Sequence, residues 1–282
     1  MSSFPLRRWA HVLMPVAAAA VLAGCTTGEQ PAASAGSTSS PVASEVPGVA
    51  LEPALDHLHG LHLDSGGVVL AGTHTGLVEI AANGRTTRVG DSDDDFMGLT
   101  GTPGTDRLFA SGHPGPSSSA PNPLGLIDST DGGRTWTPKS LTGEVDFHAL
   151  ATDGELLVGF DGVTGLLIST DGGSSWTAGA PVAAAALAVT DAGVWASTAA
   201  GLQHSTDGGR TFTVVPDAPP LALLSAAQDG SLWGIDTDGA AWRSRTGQSW
   251  EQHAVLGPVE AVLAVDFDTA YAATAQMLYP LN

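Results

Sequence analysis

Three stretches of this 282-residue chain nearly repeat one another: Ser129-Thr130-Asp131-Gly132-Gly133-Arg134-Thr135-Trp136, Ser169-Thr170-Asp171-Gly172-Gly173-Ser174-Ser175-Trp176 and Ser205-Thr206-Asp207-Gly208-Gly209-Arg210-Thr211-Phe212. The copies start 40 and then 36 residues apart, and a degenerate fourth, Ser244 to Trp250, starts 39 residues after the third. This period constrains the fold more than any other feature. A unit so short cannot bury its own apolar face and must pack against copies of itself. Asp-Gly-Gly is turn chemistry, because glycine accepts positive φ and the Asp side chain bonds back to turn amides. The closing Trp is expected to seal the turn against neighbouring packing.

Ahead of each copy come an apolar strand, a turn, a second strand and the strand that enters the repeat. The first strands align as His57-Leu58-His59-Gly60-Leu61, Asp95-Phe96-Met97-Gly98-Leu99 and Asp146-Phe147-His148-Ala149-Leu150, then around Ala185 to Leu187, Ala222 to Leu224 and Ala261 to Leu263. That makes six units of about 39 residues over 48–282. Four short strands at this period predict an all-β, six-bladed β-propeller. The last unit carries no copy of the repeat, so the stretch Gly48 to Pro53 is expected to supply its outer strand and close the ring. Composition excludes the alternatives. With 36 Gly, 18 Pro, 14% charged residues and Lys139 as the sole lysine, the chain lacks the material for long helices. Helix-rich α/β folds are thereby set aside, and a two-sheet sandwich would not repeat at forty.

The repeated segment resembles the Asp-box, or BNR, repeat, Ser-x-Asp-x-Gly-x-Thr-Trp, in three close copies. The resemblance covers most of residues 95 to 250 and implies a sialidase-like, glycosyl-hydrolase-like propeller superfamily. It implies no catalytic role for the boxes themselves, which are read as turn staples. The sialidase motif can be tested residue by residue. It needs three arginines around a substrate carboxylate and a tyrosine nucleophile beside a glutamate. Arg134 and Arg210 lie inside boxes, Arg85, Arg88, Arg107, Arg243 and Arg245 in turns or outer strands, and Tyr271 and Tyr279 in the final unit. No channel position is arginine, so the chain is not read as a classical sialidase.

The first 25 residues read as an address. Arg7 and Arg8 precede an apolar run from Val12 to Leu22, which is too short to span a bilayer, and then Leu22-Ala23-Gly24-Cys25. That ending resembles a bacterial lipobox, in which the cysteine is lipidated, and Cys25 is the only cysteine in the chain. Residues 1–25 are therefore expected to be a lipoprotein signal peptide. Residues 26–47, rich in Thr, Ser, Ala, Gly and Pro, are expected to be a disordered tether. The protein is expected outside the cytoplasm, held to the bacterial membrane by lipid on Cys25, as a monomer. Its formal charge of −19 excludes nucleic acid as a partner.

Eight histidines follow Cys25, and six of them lie between residues 57 and 148. The innermost strand of each blade lines the axial channel, and the aligned channel position reads His59, Met97, His148, Ala185, Ala222, Ala261. On the same strand face two residues earlier stand His57, Asp95 and Asp146. The ends of the second strands carry His74 and His113, which antiparallel pairing returns beside the first strands. Blades one to three thus gather imidazoles, carboxylates and one thioether at one mouth, facing a wall of alanines. His62 is read as structural, and His204 and His253 as surface residues of the blade peripheries.

The leading reading is a transition-metal site. His59, Met97 and His148 are its ligands at one level, His57, His74 and His113 lie one layer out, and Asp95 and Asp146 orient imidazoles. Imidazole suits copper and zinc, and a thioether favours copper. Two further readings stand beside it. One is a glycoside hydrolase using Asp95 and Asp146 as its carboxylate pair. The other is a scaffold that binds a small ligand or an extracytoplasmic protein, as secreted Asp-box propellers such as photosystem-assembly-factor-like and sortilin-like proteins do.

Overall fold

The computed structural model describes residues 46–282; the leader, Cys25 and all but the last two residues of the expected tether lie outside the described residues. Among the described residues there are 24 strands and no helix. The first is β1 (Val49–Ala50). Blade one is β2 (Leu58–Leu63), β3 (Val69–Thr73), β4 (Gly76–Ile80) and β5 (Thr86–Val89). Blade two is β6 (Asp95–Gly101), β7 (Leu108–His113), β8 (Leu126–Ser129) and β9 (Thr137–Ser140). Blade three is β10 (Ala149–Thr152), β11 (Leu157–Phe160), β12 (Leu166–Ser169) and β13 (Thr177–Ala178). Blade four is β14 (Ala186–Thr190), β15 (Gly193–Thr198), β16 (Gly201–Ser205) and β17 (Thr213–Val214). Blade five is β18 (Leu221–Ala226), β19 (Leu232–Asp236), β20 (Ala240–Ser244) and β21 (Glu251–Val255). Blade six is β22 (Ala261–Ala264), β23 (Ala270–Ala273), β24 (Met277–Leu281) and, from the other end of the chain, β1.

Each blade is a four-stranded antiparallel sheet, and the six innermost strands neighbour one another in a closed ring, with β2 against β22. The protein is a six-bladed β-propeller. Its ring closes as the sequence suggests: β1 pairs β24, with Val49 opposite Leu278 and Ala50 opposite Met277. Leu51 then buries against Leu58 and Leu278, and its amide donates to the Gln276 carbonyl at 2.8 Å.

The core is divided among six apolar clusters, one between each pair of adjacent blades. A blade is therefore buried on both faces, which is why strands such as Val69–Thr73 and Leu157–Phe160 are buried throughout rather than alternating. The repeated turns tie blades together. In the first, Ser129 Oγ donates to Asp131 Oδ1 at 2.8 Å, and Asp131 accepts from the Thr135 amide and hydroxyl at 2.9 and 2.7 Å. The copies at Asp171 and Asp207 repeat these bonds. The degenerate copy has lost the Asp but keeps the bond from the Gly247 amide to Ser244 Oγ. Gly133, at φ +78, leaves no room for a Cβ, which would stand 2.1 Å from Leu77 of the preceding blade.

Candidate functional site

One end of the channel is where the innermost strands begin. Three of those strands start irregularly: β2 carries a bulge between Leu58 and Gly60, β6 one between Asp95 and Gly98, and β18 one between Leu221 and Leu223. A bulge breaks the two-residue alternation and re-aims side chains. His59 sits in the first bulge and lines the channel. Phe96 and Met97 occupy the second: Phe96 is fully buried between blades, and the channel lining of blade two starts at Gly98. Met97 thus lies off the channel wall, where strict alternation from Asp95 would have placed it.

His57, His59 and His74 come together. One ligating nitrogen from each lies within 4.8 Å of the other two. His57 leads into β2, His59 lies on it, and His74 follows β3, which returns beside it by antiparallel pairing. Asp95 of blade two faces the group, with Oδ2 3.2 Å from His74 Nδ1 and Oδ1 3.7 Å from His59 Nε2. Burial, reinforced by the neighbouring His57 and His74 rings, lowers the His59 pKa to about 4. Its imidazole is therefore neutral with a free lone pair at any pH above that. His59 Nε2 and Asp95 Oδ1 are both buried without a hydrogen-bond partner. Buried polar atoms without partners are costly, and a cation bound nearby lowers that cost.

His113 and His148 form a separate group on Asp146, their Nε2 atoms 3.3 and 3.1 Å from its Oδ2. His148 lines the same channel as His59 and is close enough to oppose a proton on it.

Glu260 was not singled out from the sequence. The amides of His148, Ala185 and Glu260 donate to Phe160, Ser197 and Ala273, the residues that pair with Ala149, Ala186 and Ala261. Glu260, not Ala261, thus holds the His148 register, and the wall opposite the histidines is not wholly alanine. Its Oε2 lies 2.9 Å from His57 Nδ1 and accepts from the Leu58 amide at 2.9 Å, while Oε1 accepts from Ala275 at 3.1 Å. Aligning second strands rather than first would have exposed the one-residue offset.

Below the mouth the channel is lined by small and aliphatic residues, among them Gly98, Ala149, Ala185 and Leu223, and encloses about 160 Å³. Its far end is crossed by a bond from Gln228 Nε2 of blade five to the Pro103 carbonyl of blade two. The remaining histidines are structural. His62 is buried, its Nε2 2.8 Å from the Thr105 carbonyl, while His204 stacks on Trp195 at 3.8 Å and His253 packs edge-on to Trp233 at 5.0 Å.

No family model and no curated protein matches the chain. Solved structures do. A structural-genomics protein of unknown function from Bacteroides thetaiotaomicron is 12% identical at a TM-score of 0.60, covering 81% of this chain and 70% of its own. The GH74 enzyme of Niastella koreensis is 19% identical at 0.56, covering 78% of this chain, which spans only 41% of the enzyme. YCF48 bound to D1 peptide is 15% identical at 0.53, covering 84% of this chain and 96% of its own. At such identities the likeness is one of fold, and the chain is similar to these proteins as a β-propeller.

Proposed function

We propose that this protein is an extracytoplasmic propeller, anchored by lipid on Cys25, that binds a copper ion at the channel mouth through His57, His59 and His74. The observation that carries the reading is the convergence of one ligating nitrogen from each of three imidazoles within 4.8 Å, beside a buried Asp95 Oδ1 that has no hydrogen-bond partner. Three neutral imidazoles hold copper or zinc, and copper stands highest in the divalent affinity order. The ligand set rests on nitrogen, so Met97 is not needed in it. Asp95 and Glu260 supply the carboxylates that orient metal-bound imidazoles, Asp95 beside His59 and His74, Glu260 beside His57.

The glycoside-hydrolase reading is weaker. A sugar cleft needs aromatic walls, and Phe96 and Phe147, next to the two aspartates, are fully buried between blades. The peptide complex of YCF48 keeps protein docking as the reading to fall back on. Copper uptake by the full-length protein, measured by elemental analysis after dialysis, separates these readings. The His59→Ala variant is expected to lose about one equivalent relative to wild type, with an unchanged circular dichroism spectrum. Equal uptake by both proteins, or none by either, removes copper binding at this group.

A further inference from the structure

A gathering of two imidazoles on one aspartate occurs twice at the mouth, with the rings drawn from different blades in the two cases. In the first copy His74, at the end of the second strand of blade one, and His59, from its innermost strand, meet Asp95 at the start of blade two. In the second, His113, at the end of the second strand of blade two, and His148, at the start of blade three, meet Asp146. We propose that His113, His148 and Asp146 form a second metal site, for a divalent transition-metal ion, distinct from the one at His57, His59 and His74. The inference rests on the reading of the first group as a metal site.

Three observations carry it. Both imidazole nitrogens approach one carboxylate oxygen, at 3.3 and 3.1 Å. Donors on a tetrahedral ion with bonds of about 2.0 Å lie about 3.3 Å apart, so each nitrogen already has coordination-edge spacing to the shared carboxylate oxygen. Next, His113 Nδ1 lies 2.8 Å from Asn122 Oδ1, an acceptor. With Nδ1 donating there, Nε2 is the ring atom turned toward Asp146 and available to an ion. Lastly, Asp146 Oδ1 is buried with no hydrogen-bond partner, so the carboxylate is held at the site but not satisfied there.

Two imidazoles and a carboxylate leave positions open on the ion for water or a ligand. The His113 and His148 side chains are 43% and 51% exposed, so an ion reaches them from solvent without a conformational change. The first group has three imidazoles and one of its rings is buried, so it is expected to be the tighter of the two.

Stoichiometry tests the proposal. Full-length protein, the His57→Ala/His74→Ala variant and the His113→Ala/His148→Ala variant are each titrated with Cu²⁺ and, separately, Zn²⁺, then dialysed and analysed for metal. About two equivalents in wild type and about one in each variant are the expected result. Thermal melts without metal check that each variant folds. An Asp146→Asn variant, which keeps the side-chain shape, should also lose about one equivalent. One equivalent in wild type that survives loss of His113 and His148 overturns the second site and leaves the first. One equivalent in wild type that falls to none in both double variants means a single shared centre and also overturns it. No uptake at all overturns both sites together.

Discussion

At the scale of single residues, the same carboxylate chemistry serves two ends. Asp131 and Asp171 spend their oxygens on turn amides and hydroxyls, and those bonds hold both carboxyls down at about 2. Asp95 and Asp146 each keep one buried oxygen without a hydrogen-bond partner while the other lies beside imidazoles. The turn aspartates make the fold acid-sensitive, with a definite sign. A free Asp titrates near pH 3.9, so a group depressed to about 2 binds its proton more weakly in the folded state. Its stabilisation is complete above about pH 4 and fades as pH falls toward about 2. The melting temperature of wild type should therefore drop across that window, and drop less in an Asp131→Asn/Asp171→Asn variant. Parallel curves would show that the turns do not govern acid unfolding. These aspartates were legible in the sequence because the repeat marks them three times. Glu260 was not, because one residue of offset in blade six hid its register.

At the scale of elements, β1 is a two-residue strand with a large structural role. It pairs the last strand, the following Leu51 is 4% exposed, and the Glu52 amide donates to Gly84 while its carbonyl accepts from Thr86. The seam between the chain's two ends is thus held by few residues, each fully used, with Glu260 bonding across it to the Leu58 amide. Truncating a buried leucine costs about 2–5 kcal/mol, so Leu51→Ala should lower unfolding stability in urea by that amount. A loss under about 1 kcal/mol would mean that the ring stays closed without this strand. The closure was legible because the last unit lacked an outer strand. The bulges in β2 and β6 were not, since a bulge depends on which residue the partner strand pairs, and that pairing is absent from the local pattern.

At the scale of the whole molecule, the propeller gathers His57, His59, His74, His113 and His148 at one end, while the Gln228–Pro103 bond crosses the other. Lipid on Cys25, as proposed, would tether the propeller to the membrane through about 22 residues. The anchor is checked by expressing Cys25→Ser in a bacterial host: the protein should leave the membrane fraction or accumulate as unprocessed precursor. Unchanged fractionation and unchanged mass would rule the anchor out.

The sequence by itself determined the all-β class, the blade number, the closing strand and the crowding of histidines into the first three blades. All of these follow from period and composition, which are local and repeat. Tertiary structure decided how the histidines are shared out. His57 and His74 join His59, while His148 and His113 gather on a separate carboxylate. Met97 leaves the channel wall, and Glu260 enters it. Each of these outcomes turns on strand register and bulges, which only pairing between strands distant along the chain can set.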